Sequence, residues 1–189
     1  MNLWKQRVGL LVAASLGACS SASSTPQEPA SPTHEPPRAE RPAEQPAPLV
    51  TAAPRIELAG PGFAQVVSSG TAGGPILGQT MSPHCVGSYP TSPQHIVHVA
   101  RALPHFRVVI NAGASDTTIA VRAPDGTYVC NDDSSDPANT LNPAVDVENA
   151  AAGDYQIFVG GYSGGDAWAD YALAVIEGHA FPSEVVPAP

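Results

Sequence analysis

From about Gly62 onward, short runs of alternating apolar and polar residues are separated by Gly, Pro, Asp and Asn, and no window of useful length carries a helical period. That pattern restricts the chain to β architecture. Phe63 to Val67 and Ile96 to Ala100 read as strands. Phe106, Val108 and Ile110 share one strand face, as do Ile119 and Val121. Pro124-Asp125-Gly126 reads as a hairpin turn, and Tyr128 to Cys130 as the returning strand. In Ala144 to Glu148, Val145 and Val147 point inward while Asp146 and Glu148 point outward. Tyr155, Ile157 and Val159 form the next face, and Tyr171, Leu173 and Val175 the last. About eight short antiparallel strands imply an all-β fold, a single β-sandwich of jelly-roll type spanning residues 56–180. Residues 181–189 read as a disordered tail.

The segment before the domain cannot fold by itself. Nine prolines lie between Pro26 and Pro54, among Ala, Ser, Thr, Glu and Gln, with almost no large apolar residue. Residues 19–55 are therefore expected to form a disordered, semi-extended tether, rising about 3.1 Å per residue. Ahead of it, Lys5 and Arg7 precede an apolar run from Val8 to Ala14, too short to span a bilayer. Residues 1–18 read as an export signal. Leu16-Gly17-Ala18-Cys19 resembles the lipobox of bacterial lipoproteins. That resemblance implies cleavage before Cys19, diacylation of its thiol and a membrane partner reached through the lipid, since several acyl chains make a stable anchor. Ser20 in the next position, by the same resemblance, implies passage to the outer membrane. The alternative is an ordinary signal peptide with an incidental cysteine.

With Cys19 lipidated, Cys85 and Cys130 are left as a pair in an oxidising compartment, where a disulfide is expected over two free buried thiols. The net charge is -9, and Lys5 is the only lysine. Residues 56–180 hold three arginines (Arg101, Arg107 and Arg122) against twelve acids. No basic patch exists to grip phosphates, which excludes nucleic acid as a partner.

Val67 to Gly74, Cys85-Val86-Gly87, Asp116 to Ile119, Pro124-Asp125-Gly126 and Cys130 to Asp133 follow one another in an order that resembles a known family. Asn142-Pro143, Ala152 to Tyr155 and Val159 to Tyr162 continue the pattern. Together they resemble bacterial secreted domains related to the pre-peptidase C-terminal domain, over roughly Gly62 to Glu177. The resemblance implies a non-catalytic β-sandwich that accompanies exported enzymes, with calcium binding or substrate binding in some members. Here no protease precedes the domain within the sequence, only the anchor and the tether.

Four groups of residues are candidate sites. Asn131, Asp132, Asp133, Asp136 and the neighbouring Asp116 offer the oxygen ligands that calcium takes. The alternative is a solvated turn whose Asn and Asp side chains cap their own backbone. Phe158, Tyr162 and Trp168 flank the Gly160 to Ala167 loop, where they either stack on a sugar or peptide ligand or close the sandwich edge. Gly161-Tyr162-Ser163-Gly164-Gly165 matches a nucleophile elbow, but a strand follows it, and its only downstream histidine is His179. His84, His95, His98 and His105 suggest a transition-metal site, opposed by the odd spacing of His95 and His98, which puts them on opposite faces of a strand. The expected function is a tethered, non-catalytic binding or accessory module at the cell surface. Its alternatives are a calcium-stabilised module for a polysaccharide or protein, and a small serine hydrolase.

Overall fold

A computed structural model describes residues 52–163 and 168–189. The expected signal peptide 1–18, Cys19, all but the end of the 19–55 tether, and loop residues 164–167 lie outside the described residues. In chain order the strands are β1 (Arg55–Leu58), β2 (Val66–Ala72), β3 (Ile76–Leu77), β4 (Ser88–Tyr89), β5 (His95–Val99), β6 (Leu103–Asn111), β7 (Thr117–Arg122), β8 (Tyr128–Asn131), β9 (Ala144–Ala150), β10 (Gly153–Gly161) and β11 (Ala169–Ile176). A single-turn helix, α1 (Pro182–Val185), follows.

Two sheets form a sandwich. One holds β1, β5, β10, β7 and β8 in that order, with β4 on the β5 side of β10 and β3 beyond β4. The other runs β2-β11-β6-β9. After β4 the chain moves repeatedly between sheets, so β5, β6, β7, β9, β10 and β11 each contribute one face to a shared interior. That interior contains Phe106, Val108 and Ile110, Ile119 and Val121, Val145 and Val147, Tyr155, Ile157 and Val159, and Tyr171, Leu173 and Val175. These are the faces that the period-two alternation marks. Pro124-Asp125-Gly126 closes the β7–β8 hairpin, with Gly126 at φ 89° and Asp125 Oδ1 accepting from the Thr127 N–H at 2.9 Å.

Three features depart from the expectation. The strands number eleven among the described residues, against about eight, because β3 and β4 are two-residue strands too short to show a period. β1 spans the expected boundary between the 19–55 tether and the domain. Its Ile56 and Leu58 are buried, and it pairs β5 in parallel, whereas the other pairings are antiparallel. The 181–189 segment, expected to be a disordered tail, docks instead. Val186 is buried, and its carbonyl accepts from Asn111 Nδ2 at 2.8 Å. Ser183 donates from its N–H and its hydroxyl to the buried Asp136, at 2.8 and 2.9 Å.

Cys85 and Cys130 are joined by a disulfide. It ties the segment before β4 to β8, beside a small apolar cluster of Tyr89, Ala120 and Phe158.

Candidate functional site

The candidate site lies at one end of the sandwich, where β10 stops and β11 begins. Gly161 ends β10 opposite Thr117, the first residue of β7. The next residue, Tyr162, donates its N–H to the carbonyl of Asp116 at 3.1 Å. Ala169 starts β11 opposite Ala72, and Gly73 returns a hydrogen bond to Val159 on β10. Tyr162 and Trp168 therefore leave the fold at the same end. They are 46% and 59% exposed, which for large aromatic rings leaves much apolar area facing water.

Carboxylates gather beside them. Asp116 has its pKa raised first by burial, then by the charges of Asp133 and Asp132. Asp132 also contributes to the rise of the Tyr89 hydroxyl to about 12, after burial as the main cause. Asp116, Asp132 and Asp133 thus share one electrostatic neighbourhood next to Tyr162. The structure uses the other two proposed calcium ligands elsewhere. Asn131 Nδ2 donates to the Ala144 carbonyl at 2.7 Å, and its Oδ1 accepts from the Asp133 N–H. Asp136 is fully buried and spends both oxygens on Ser183 and Ala138. Its side chain holds α1 in place of an ion. Asp136 and Asn131 stand close to the acids in sequence, but proximity along the chain does not reveal where a side chain turns.

Phe158 also departs from its expected role. It is only 7% exposed and packs beside Tyr128, with ring centroids 6.4 Å apart. The alternation places it on the outer face of its sheet, as expected. The segment before β4, pinned by the disulfide, covers that face. Of the three aromatic candidates, Tyr162 and Trp168 remain available to a ligand.

Ser163 follows Tyr162 in an exposed turn. Of its elbow glycines, Gly161 ends β10, and Gly165 lies outside the described residues. His179 comes after the far end of β11, an eight-residue strand about 26 Å long at 3.3 Å per residue. Ser163 and His179 occupy opposite ends of the sandwich, so they cannot form a nucleophile–base pair.

The four upstream histidines do not meet. His84 is exposed. His95 points into the core, where its Nε2 lies 2.8 Å from the Tyr171 hydroxyl. His98 points outward from the same strand, as the odd spacing requires, onto Asp154 at 2.6 Å. Arg55 clasps the same Asp154 through both Nη atoms at 2.9 Å, fastening β1 across β5 to β10. His105 meets instead His179, from the segment after β11, with Asp146 between their ring nitrogens.

A cleft of about 490 Å³ opens along the sandwich side, between the β7–β8 hairpin and β9. Pro124, Asp125, Val129, Glu148 and Tyr155 help line it. Asn149, also in its wall, adopts φ 50°, a left-handed conformation that Asn tolerates better than most residues.

No protein-family model matches this chain, and no curated protein does. Among solved structures it is similar to PliG of Aeromonas hydrophila, a periplasmic inhibitor of g-type lysozyme. Identity is 18% over 66% of this chain and 98% of that one, with a TM-score of 0.35. It is also similar to the carbohydrate-binding module CBM6cm-2 from Cellvibrio mixtus lichenase 5A. There identity is 12% over 50% of this chain and 74% of that one, with a TM-score of 0.28.

Proposed function

We propose that this chain is a non-catalytic binding module, held at the bacterial cell envelope by lipid on Cys19, that engages a polysaccharide through the acidic–aromatic end of its sandwich. The observation that carries the reading is the shared exit of Tyr162 and Trp168, both substantially exposed, beside Asp116, Asp132 and Asp133. Aromatic faces stack on the apolar faces of sugar rings, and carboxylates accept hydrogen bonds from sugar hydroxyls. The lipobox-like start, the Cys85–Cys130 disulfide and the resemblance to pre-peptidase C-terminal domains support an extracytoplasmic place for such a module. Calcium, in this reading, binds through Asp116, Asp132 and Asp133, without Asp136 or Asn131.

The test uses the chain from Ser20 onward. Trp168 is its only tryptophan, because the other, Trp4, lies in the export signal. Quenching or a blue shift of tryptophan emission therefore reports this site alone. We expect retention on an insoluble envelope or plant polysaccharide such as peptidoglycan, chitin or cellulose. Trp168→Ala and Tyr162→Ala should each weaken it by about tenfold or more, corresponding to about 1.4 kcal/mol. Retention unchanged in both variants would remove the reading. Identical retention with calcium and with chelator would remove the calcium part alone.

A further inference from the structure

The outer face of the four-stranded sheet carries a block of side chains set by strand register. β6 and β9 pair His105 with Glu148 and Arg107 with Asp146. Alternation puts these four opposite Phe106, Val108, Val145 and Val147, which fill the core. β11 runs beside β6 and ends at Ile176, opposite Arg107. Three residues later His179 lies over His105, with ring centroids 4.3 Å apart.

The donor atoms converge on one carboxylate oxygen. His105 Nε2 is 2.8 Å from Asp146 Oδ1, and His179 Nδ1 is 3.4 Å from the same atom. One ligand atom from each of the three residues falls within 4.8 Å of the others. Glu148 Oε1 stands 4.0 Å from His105 Nε2. Around a tetrahedral zinc with bonds of about 2.0 Å, neighbouring ligand atoms sit roughly 3.3 Å apart, within the range of these spacings.

The hydrogen-bond chemistry asks for a cation. His105 Nδ1 is 2.9 Å from the Glu177 carbonyl, which can only accept, so that nitrogen carries a hydrogen. In the neutral ring, Nε2 then presents its lone pair to a carboxylate that also offers only lone pairs. A dication between them makes both into ligands. The Glu177 carbonyl supplies the outer contact that fixes the tautomer of a metal-bound histidine. Arg107 Nη1 donates to both oxygens of Asp146, to Oδ2 at 2.8 Å and to Oδ1 at 3.0 Å, and so orients the carboxylate. Its charge opposes an ion at Oδ1, and the exposed Glu148 offsets that charge. A second proton on the ring satisfies the same geometry, so protons compete with the metal.

We propose that His105, Asp146 and His179 form a site for a borderline-soft dication of the zinc type, with Glu148 as the fourth ligand. Two imidazoles and a carboxylate favour such ions over calcium, which takes six to eight oxygens. The site lies at the opposite end of β11 from Trp168, so its test is independent of the polysaccharide reading.

Zinc is titrated calorimetrically into the tag-free chain at neutral pH, and cobalt is added in parallel to read its visible absorption. The expected result is one zinc per chain, with a dissociation constant on the order of micromolar or tighter. Cobalt should give the intense bands of low coordination number. His179 has a side chain 69% exposed, so His179→Ala should leave the fold intact, checked by its melting curve, and weaken zinc binding about tenfold or more. Glu148→Gln should weaken it in the same direction, while His84→Ala and His98→Ala should leave it unchanged. No zinc uptake at about 0.1 mM, or affinity undiminished in His179→Ala, would overturn the proposal. Equal loss in His98→Ala would overturn it too.

Discussion

His95 shows how one side chain can govern response to acid. The period-two reading places it on the face opposite His98, but only the packed sandwich puts that face in the interior, with His95 Nε2 against the Tyr171 hydroxyl. Desolvation pushes its pKa down to about 4, so it is neutral in the native state. In the unfolded chain an ordinary histidine takes a proton near 6.5. Above pH 6.5 both states are neutral, and stability does not depend on this group. As pH falls from about 6.5 to about 4, the unfolded state binds the proton first and native stability drops, by about 3 kcal/mol in full. The melting midpoint is expected to fall across that window, and the fall should shrink in His95→Gln. A midpoint flat from pH 7 to pH 4.5 would contradict a buried neutral His95. Asp146 and Asp154 also respond to acid, but in a lower range. In Asp146 burial raises the pKa, and hydrogen bonds and charges from His105 and Arg107 outweigh it. In Asp154 the Arg55 and His98 hydrogen bonds lower it. Both contributions are lost only as those carboxylates protonate, below the ordinary aspartate range.

At the scale of elements, the C-terminal segment has a structural role that its composition hides. Phe181-Pro182-Ser183-Glu184 holds one large apolar residue beside a proline and two polar residues, too little for a strand or helix by pattern. Its order comes from elsewhere in the fold. Asp136 lies buried 47 residues upstream and accepts two hydrogen bonds from Ser183. Val186 fills a small cluster with Val109, Ala144, Ala174 and Ile176 on the outer side of the four-stranded sheet. Deleting residues 181–189 uncovers that cluster and leaves the Asp136 carboxylate without its main donors. Burial of one valine contributes about 2 kcal/mol, and a stranded buried acceptor costs about 1–3 kcal/mol. A truncated chain is expected to unfold at lower denaturant by about 3 kcal/mol or more. Asp136→Asn should reproduce part of that loss. Equal midpoints for full and truncated chains would show that the docking does not stabilise the fold. β1 illustrates the same point at the other end: Arg55 and Glu57 alternate with Ile56 and Leu58, but the proline-rich run before them masks the strand until β5 and Asp154 provide its partners.

For the molecule as a whole, the long-range constraint is the disulfide. It joins residues 45 apart and, in the chain-entropy account, stabilises the native state by about 4 kcal/mol. Cys85 is fully buried, beneath the segment that leads to Tyr89 and covers Phe158. Reduction should lower the denaturant midpoint by an amount of that order, and Cys85→Ala with Cys130→Ala should match it. Because the bond pins the covering segment and not the two main sheets, the reduced chain is expected to keep its far-ultraviolet circular dichroism at neutral pH while losing stability. Loss of strand signal on reduction, without denaturant, would show that the sheets themselves depend on the bond.

Alternation determined the β class and which side of each long strand faces inward, because strand side chains alternate with a period of two whatever the strand pairs with, and the proline and glycine of Pro124-Asp125-Gly126 marked its turn. Cysteine parity and export logic pointed to the Cys85–Cys130 pair, and the spacing of His95 and His98 separated their faces. Which strands become neighbours was decided only in three dimensions. That decision sent Asp136 to Ser183 and away from the acidic turn, buried Phe158 under a disulfide-pinned segment, and left Tyr162 and Trp168 exposed at one end. It also brought His105, Asp146 and His179 to one carboxylate oxygen across 74 residues of chain. Local pattern records the direction of a side chain from its own strand, whereas a site made from two strands and the segment after a third depends on register between segments distant in sequence, which hydrogen-bonded pairing and a shared core select together.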